Sequence, residues 1–262
     1  EGEARFLSYW LEVVRTLTTP TSYLVPLMPP DMAGDAWWHG HTDAPVPYPV
    51  DDRVGAAMTA DHVSAAVAFA RARMSAFYER LAESTGAAPA RLFVEKLLPN
   101  PWARRLARDV VPELREIILV RDFRDMLASI LAMDRRRGYA GFGRRPDQTD
   151  RAYVTAVGET VDLLAAAADD APGSLIVRYE DLAKDPRAIT TEMLRYLELE
   201  ARPSEVDAMV AAGDAPSAAL DRHRTTPDRA TSIGRWRRDL PPELQDLCGA
   251  VFCDALARFG YA

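Results

Sequence analysis

Residues 117–130 have the sequence IILVRDFRDMLASI, and the architecture of the chain follows from them. The first four residues are apolar and predict a short buried strand, whereas the residues from Asp122 onward have helical spacing. Arg121 lies where the strand ends, and Ser129 lies two turns into the helix. In open α/β sheets, ligands bind at this end of the strands, where helix N-termini point free N–H groups outward. The two side chains could therefore bind one phosphate, although the charged residues could equally form a solvated helix cap.

The pattern of the remaining chain predicts an α/β fold. Short apolar runs predict three strands, at residues 91–95, 116–120 and 174–177. Helical spacing occurs between and after them, at residues 101–110, 122–136, 148–169, 187–198, 203–212 and 241–259. Strands that alternate with helices favour a parallel sheet flanked by helices, here followed by a helical C-terminal third. No repeat or low-complexity linker interrupts the sequence, so we expect one domain over residues 1–262.

The N-terminal part has the patterns of two helices joined by a long loop. Helices are predicted over residues 3–18 and 61–83. Residues 20–55 between them are rich in proline and contain Trp37, His39 and His41. Long ordered loops often carry function, so we expect this loop to line a cleft for an acceptor molecule. Two histidines without a third ligand nearby are weak evidence for a metal, and no metal is expected.

The charge balance argues against a polyanion as the partner. The chain has 32 Lys and Arg residues against 39 Asp and Glu residues, a net charge of −7, and therefore no overall basic field. We expect neither nucleic acid nor an anionic membrane as a partner. Cys248 and Cys253 suit neither a disulfide framework nor a zinc site. Without an apolar span or the pattern of a signal peptide, the expected location is the cytoplasm.

Two further stretches have features of a ligand site. In LIVRYEDLAKDP, residues 175–186, Tyr179 follows a strand and could stack on a flat base, although a half-buried tyrosine usually belongs to a core. The stretch TTPDRATSIGRWRRDL, residues 225–240, is dense in hydroxyl groups and arginines. It could be a solvated basic loop, but Gly234 and Trp236 alternate with its charges, as in a loop folded over a ligand.

In this order, the three stretches resemble the sulfotransferases that use 3'-phosphoadenosine-5'-phosphosulfate (PAPS). The resemblance extends over about residues 91–261 and is closer to the bacterial and tyrosylprotein or glycan enzymes than to the cytosolic phenol type. It implies a P-loop-NTPase-like fold and transfer of a sulfuryl group from PAPS to a hydroxyl of a small molecule, glycan or peptide. The product would be adenosine 3',5'-bisphosphate (PAP), and the oligomeric state is not implied.

The resemblance also implies two sets of binding residues. The PAPS pocket would contain Arg121, Ser129, Tyr179, Thr231, Ser232 and Arg235. The acceptor side would contain Arg5, Trp37, His39, His41, Thr225 and Thr226.

The catalytic residues implied by the resemblance are a lysine and a glutamate. Lys96, one of only two lysines in the chain, would neutralise the leaving oxygen. The phenol-type enzymes have a histidine two residues after this lysine, but Leu98 stands there and cannot accept a proton. The stretch EGEAR, residues 1–5, resembles the segment that supplies the base in the tyrosylprotein enzymes and nominates Glu3. Glu95 is the alternative base.

One motif of the family is missing from the sequence. These enzymes begin with a strand and a glycine-bearing loop that binds the 5'-phosphosulfate through backbone N–H groups. None of the 14 glycines has that context, so we expect the strand and loop to precede residue 1. Two alternative functions stay open: a noncatalytic nucleotide-binding module of the same fold, and a small-molecule kinase, which would require Mg²⁺.

Overall fold

The computed structural model describes residues 6–18, 52–90, 92–97, 101–170, 173–215 and 224–261. The chain divides into two compact units, Glu1–Leu114 and Arg115–Ala262. The single domain expected from the sequence stays a prediction.

Three helices form the described core of the first unit: α1 (Phe6–Thr18), α2 (Asp52–Ser84) and α3 (Pro101–Val110). The predicted helices are confirmed, and α2 begins nine residues earlier than expected, at 52 instead of 61. In α1, the spacing of apolar residues places one stripe toward the other two helices. The buried core residues of this unit include Leu7, Leu11, Val14, Ala70, Met74, Leu106 and Val110.

The strand predicted at residues 91–95 is not present in the described part of this stretch. Residues 92–97 have no regular secondary structure, and Val94 is 84% exposed. A strand needs a neighbour to bond its backbone, and the described part of the first unit contains no strand that could pair with it. The stretch is held by side chains instead: the ring centres of Phe93 and Tyr78 lie 3.8 Å apart.

The second unit contains a parallel pair of strands, β1 (Ile117–Val120) and β2 (Leu175–Arg178). Ile117 lies opposite Leu175 in the register of the pair. The two strands are connected through α4 (Phe123–Arg137) and α5 (Asp150–Asp169). Because the strands are parallel, the residues that follow them lie at the same edge of the sheet.

Most of the described residues after β2 are helical, as expected for the C-terminal third, and the main exception is the irregular stretch from Arg224 to Arg229. The helices after β2 are α6 (Tyr179–Lys184), α7 (Pro186–Tyr196), α8 (Pro203–Asp214), α9 (Trp236–Asp239), α10 (Pro242–Val251) and α11 (Cys253–Arg258). Their core packs around Phe123 at the start of α4, whose ring centre lies 6.1 Å from that of Phe252 and 5.9 Å from that of Phe259. Among the described helices, none is both long enough and apolar enough to cross a membrane.

Candidate functional site

The arginine at the end of β1 has neutral hydrogen-bond and stacking partners. The Nη2 of Arg121 donates a hydrogen bond of 2.6 Å to the carbonyl oxygen of Ser232. Its guanidinium carbon lies 4.7 Å from the centre of the Tyr179 ring. The Nε of Arg121 is buried and has no hydrogen-bond partner among the described residues. A buried donor without a partner is costly, so this position suits an anionic ligand.

A second group of side chains meets at Thr225. The Ser129 Oγ lies 3.1 Å from the Thr225 Oγ1, and the Nη1 of Arg235 donates to the same oxygen at 2.6 Å. Arg235 is only 4% exposed, and its Nε donates to Asp239 at 2.7 Å. Burial raises the pKa of Asp239, but hydrogen bonds from Arg235 and Arg238 outweigh it and hold that pKa below its ordinary value. This part of the site therefore combines a buried cation with two hydroxyl groups.

Arg121 and Ser129 both contact the stretch of residues 225–236, which we call the 225–236 segment. Arg121 contacts it at Ser232, whereas Ser129 contacts it at Thr225. Within the described part of the chain, Arg121 and Ser129 do not hydrogen-bond to each other. Their binding of one shared phosphate stays a prediction, which the contacts of both with a common segment support.

Tyr179 contacts the 225–236 segment through its hydroxyl group. The Tyr179 Oη lies 3.1 Å from the Ser232 Oγ, and Ser232 is 5% exposed. The Ser232 hydroxyl also donates to the carbonyl oxygen of Arg229 at 2.6 Å. Tyr179, Arg121 and Ser232, three residues predicted for the PAPS pocket, are thus in mutual contact.

The other two threonines of the prediction form a turn around Asp228. The Thr231 backbone N–H donates to the Asp228 carboxylate at 2.7 Å, and the Thr226 hydroxyl donates to the Asp228 carbonyl at 3.0 Å. The backbone hydrogen bond from Thr231 holds the pKa of Asp228 below its ordinary value. In this structure, Thr226 and Thr231 stabilise the segment itself.

A network that the sequence did not reveal connects the two strand ends to the C-terminal part of the unit. Asp122 caps α4 by accepting from the Arg124 backbone N–H at 3.0 Å, and Arg124 donates to the Tyr261 carbonyl at 2.8 Å. Glu180 accepts from the Asp122 N–H at 3.0 Å and from the Tyr261 hydroxyl at 2.6 Å. Burial, together with the bond to Glu180, raises the pKa of Tyr261. The sequence did not predict this network, because its partners are far apart along the chain: Tyr261 lies 81 residues from Glu180.

Asp125, on the first turn of α4, is completely buried. Its carboxylate accepts hydrogen bonds from the backbone N–H groups of Gly234 and Trp236. Burial raises the pKa of Asp125, and these two bonds only partly offset that effect. From the sequence, this residue was one of several charges in a possible solvated cap.

Lys96, the predicted catalytic lysine, lies in the irregular stretch 92–97 of the first unit and is exposed. Its neighbour Glu95 accepts from the Leu7 backbone N–H at 2.9 Å and from the Tyr78 hydroxyl at 2.5 Å. Burial and this hydrogen bond raise the pKa of Tyr78. Both oxygens of Glu95, the alternative base, therefore make structural contacts.

Five predicted residues lie outside the described residues: Glu3, Arg5, Trp37, His39 and His41. Within the described ranges, no cluster of three His, Cys, Asp or Glu side chains could hold a metal ion.

The family profile described as "Sulfotransferase family" matches residues 26–203, which is more than half of the chain. No curated protein and no solved structure matches the chain. The match contains β1, α4, β2 and α6, and with them Lys96, Arg121, Ser129 and Tyr179. It confirms the expected P-loop-like α/β fold class. The chain belongs to the sulfotransferase family.

Proposed function

We propose that the protein transfers the sulfuryl group of PAPS to a hydroxyl of a small molecule, glycan or peptide. Members of this family generally use PAPS, whose product PAP carries two phosphate groups. The observation that carries the proposal is Arg121 at the end of β1, whose buried Nε has no hydrogen-bond partner within the described part of the chain. An anionic group there would accept a charge-assisted hydrogen bond, which is stronger than one between neutral groups.

The residues present at this edge of the sheet fit such a donor. Arg121, Ser129 and Arg235 would bind its phosphates, because they combine two guanidinium groups with a hydroxyl. Tyr179 would contact the adenine, and one face of its ring already packs against the Arg121 guanidinium. Thr225 contacts both Ser129 and Arg235, so its position supports a place on the phosphate side rather than the acceptor side.

For the chemical step, we assign the base to Glu3 and the stabilising cation to Lys96. When bound, PAPS supplies a sulfur atom whose bond to the bridging phosphate oxygen breaks as the acceptor oxygen bonds to it. Glu3 accepts the proton of the acceptor hydroxyl. Lys96 neutralises the negative charge that the bridging oxygen gains with the electron pair of the broken bond.

A contact within the first unit supports this pair. Glu95, adjacent to Lys96, accepts from the backbone N–H of Leu7, four residues after Glu3. Leu7 is thereby held next to the stretch that carries the proposed cation. Arg5, Trp37, His39, His41 and Thr226 stay proposals for the acceptor side.

Calorimetry with PAP and a transfer assay with ³⁵S-labelled PAPS test the function. We expect PAP to bind the full chain and label to reach a panel of hydroxyl acceptors in the presence of EDTA. Binding without transfer to any acceptor would favour the noncatalytic module. Failure to bind PAP, or a strict requirement for Mg²⁺ and ATP, would refute the proposal.

A further inference from the structure

The 225–236 segment reaches the site with little regular structure of its own. Only the 3₁₀ turn Ala230–Ser232 and the start of α9 at Trp236 interrupt its irregular backbone. Gly234 between them has a φ of +68°, a conformation that residues with a Cβ rarely adopt. Such a backbone needs contacts from outside to stay in one conformation, and one residue supplies two of them.

Asp125 makes those contacts with both of its carboxylate oxygens. Its Oδ2 accepts from the Gly234 N–H at 2.6 Å, and its Oδ1 accepts from the Trp236 N–H at 2.9 Å. The two donors lie 109 and 111 residues away along the chain. The carboxylate thus holds the backbone on both sides of Arg235.

The burial of the Asp125 carboxylate is compensated by groups of the candidate site. The side chain has an exposure of 0%, and a buried carboxylate is unfavourable without compensating interactions. Its compensation comes from the two backbone donors, from its place in the first turn of α4 and from the charge of Arg121. All of these belong to the elements that form the candidate site.

We propose that Asp125 is a positioning residue for the donor: it fixes residues 234–236 so that Arg235 and Ser232 keep their places beside Ser129 and Arg121. This inference rests on the proposed function. Asp125 does not act on the donor itself; its effect passes through Arg235, whose guanidinium contacts Thr225, and through Ser232, whose carbonyl oxygen contacts Arg121.

The test uses Asp125→Asn, which keeps the size of the side chain but places an amide NH₂ against a backbone N–H. The matched control is Asp134→Asn, since Asp134 is a buried carboxylate on the same helix whose hydrogen bond, at 2.9 Å, comes from the Gly141 backbone N–H and not from the 225–236 segment. We expect Asp125→Asn to raise the Kd for PAP about 10- to 100-fold, the effect of a small misplacement of binding groups. The control should bind PAP like the wild type.

Trypsin digestion separates positioning from general stability. In Asp125→Asn, cleavage after the buried Arg235 should accelerate more than cleavage after the exposed Arg187 of α7. In the wild type, PAP should slow the cleavage after Arg235. Equal acceleration at both sites, or an unchanged Kd, would overturn the role of Asp125. A wild-type chain that fails to bind PAP would instead overturn the proposed function.

Hydrogen exchange of the wild-type protein provides the test if Asp125→Asn does not fold. The amides of Gly234 and Trp236 should exchange slowly in the absence of PAP, because both donate to a buried carboxylate. Fast exchange of the two amides would overturn the proposal.

Discussion

Replacing Arg121 by lysine tests whether this side chain recognises the 3'-phosphate of the donor. The variant keeps the positive charge but loses the planar guanidinium. In the wild type this group donates to the Ser232 carbonyl at 2.6 Å through Nη2, and its Nε is the donor that we assign to the ligand. A hydrogen bond to a charged group contributes about 1.5–3 kcal/mol. This free energy corresponds to a change of about 10- to 150-fold in Kd.

The assay compares two nucleotides that differ only in the 3'-phosphate, PAP and adenosine 5'-phosphate. Calorimetry gives the factor by which the wild type prefers PAP, and Arg121→Lys should reduce that factor by about 10- to 150-fold. The affinity for adenosine 5'-phosphate should change little. Comparing the two ligands on both proteins cancels general effects of the substitution on the fold.

Arg187→Lys is the control, because Arg187 lies on α7, is exposed and pairs with Asp207 at 2.7 Å. It should preserve both affinities. If Arg121→Lys retains the full preference for PAP, then Arg121 does not contact the 3'-phosphate, and our explanation of its buried Nε is wrong.

Three further predictions concern stability, the base and thiol reactivity. Gly158→Ala would place a Cβ 2.6 Å from the Val251 Cγ1, so we expect the free energy of unfolding, measured with urea, to fall by about 1–3 kcal/mol. An unchanged unfolding midpoint would show that α5 and α10 can move apart at no cost. Glu95→Gln replaces one of the two carboxylate oxygens that accept hydrogen bonds from Leu7 and Tyr78, so we expect the free energy of unfolding to fall by about 1–3 kcal/mol while sulfuryl transfer persists. A loss of about 100-fold or more in the transfer rate would show that Glu95 is the base. Burial raises the pKa of Cys248 to about 12, so its thiol stays protonated and unreactive at pH 8. Iodoacetamide should therefore label only the exposed Cys253 until the protein unfolds, and mass spectrometry of native and denatured samples measures this labelling.

Local patterns in the sequence predicted most helices and the two strands of the second unit. Helical periodicity located α3 at residues 101–110, as observed, because the period reports burial of one helix face. The same reasoning predicted a strand at residues 91–95, but described residues 92–97 are irregular. An apolar run shows the capacity to form a strand, whereas the strand itself depends on a pairing partner elsewhere in the chain.

Local sequence patterns predicted residues of the candidate site at the strand ends, in α4 and in the 225–236 segment, but they did not predict the long-range bonds that connect these elements. Arg121 and Tyr179 were found because each comes directly after an apolar run, and the structure brings them into contact. Asp125 and Tyr261 were not found, because their importance lies in bonds to residues more than 80 positions away. A single sequence contains no signal for such distant pairs when their residue types are ordinary.

The bonds of Tyr261 have a consequence for synthesis of the protein in the cell. Arg124 and Glu180, close to the two strand ends, are both held by this one tyrosine. A growing chain leaves the ribosome from its N-terminus, so both strands emerge well before Tyr261 does. Until Tyr261 has emerged, Arg124 and Glu180 lack these two hydrogen bonds, so the edge of the sheet that carries the candidate site reaches its final arrangement only late in synthesis.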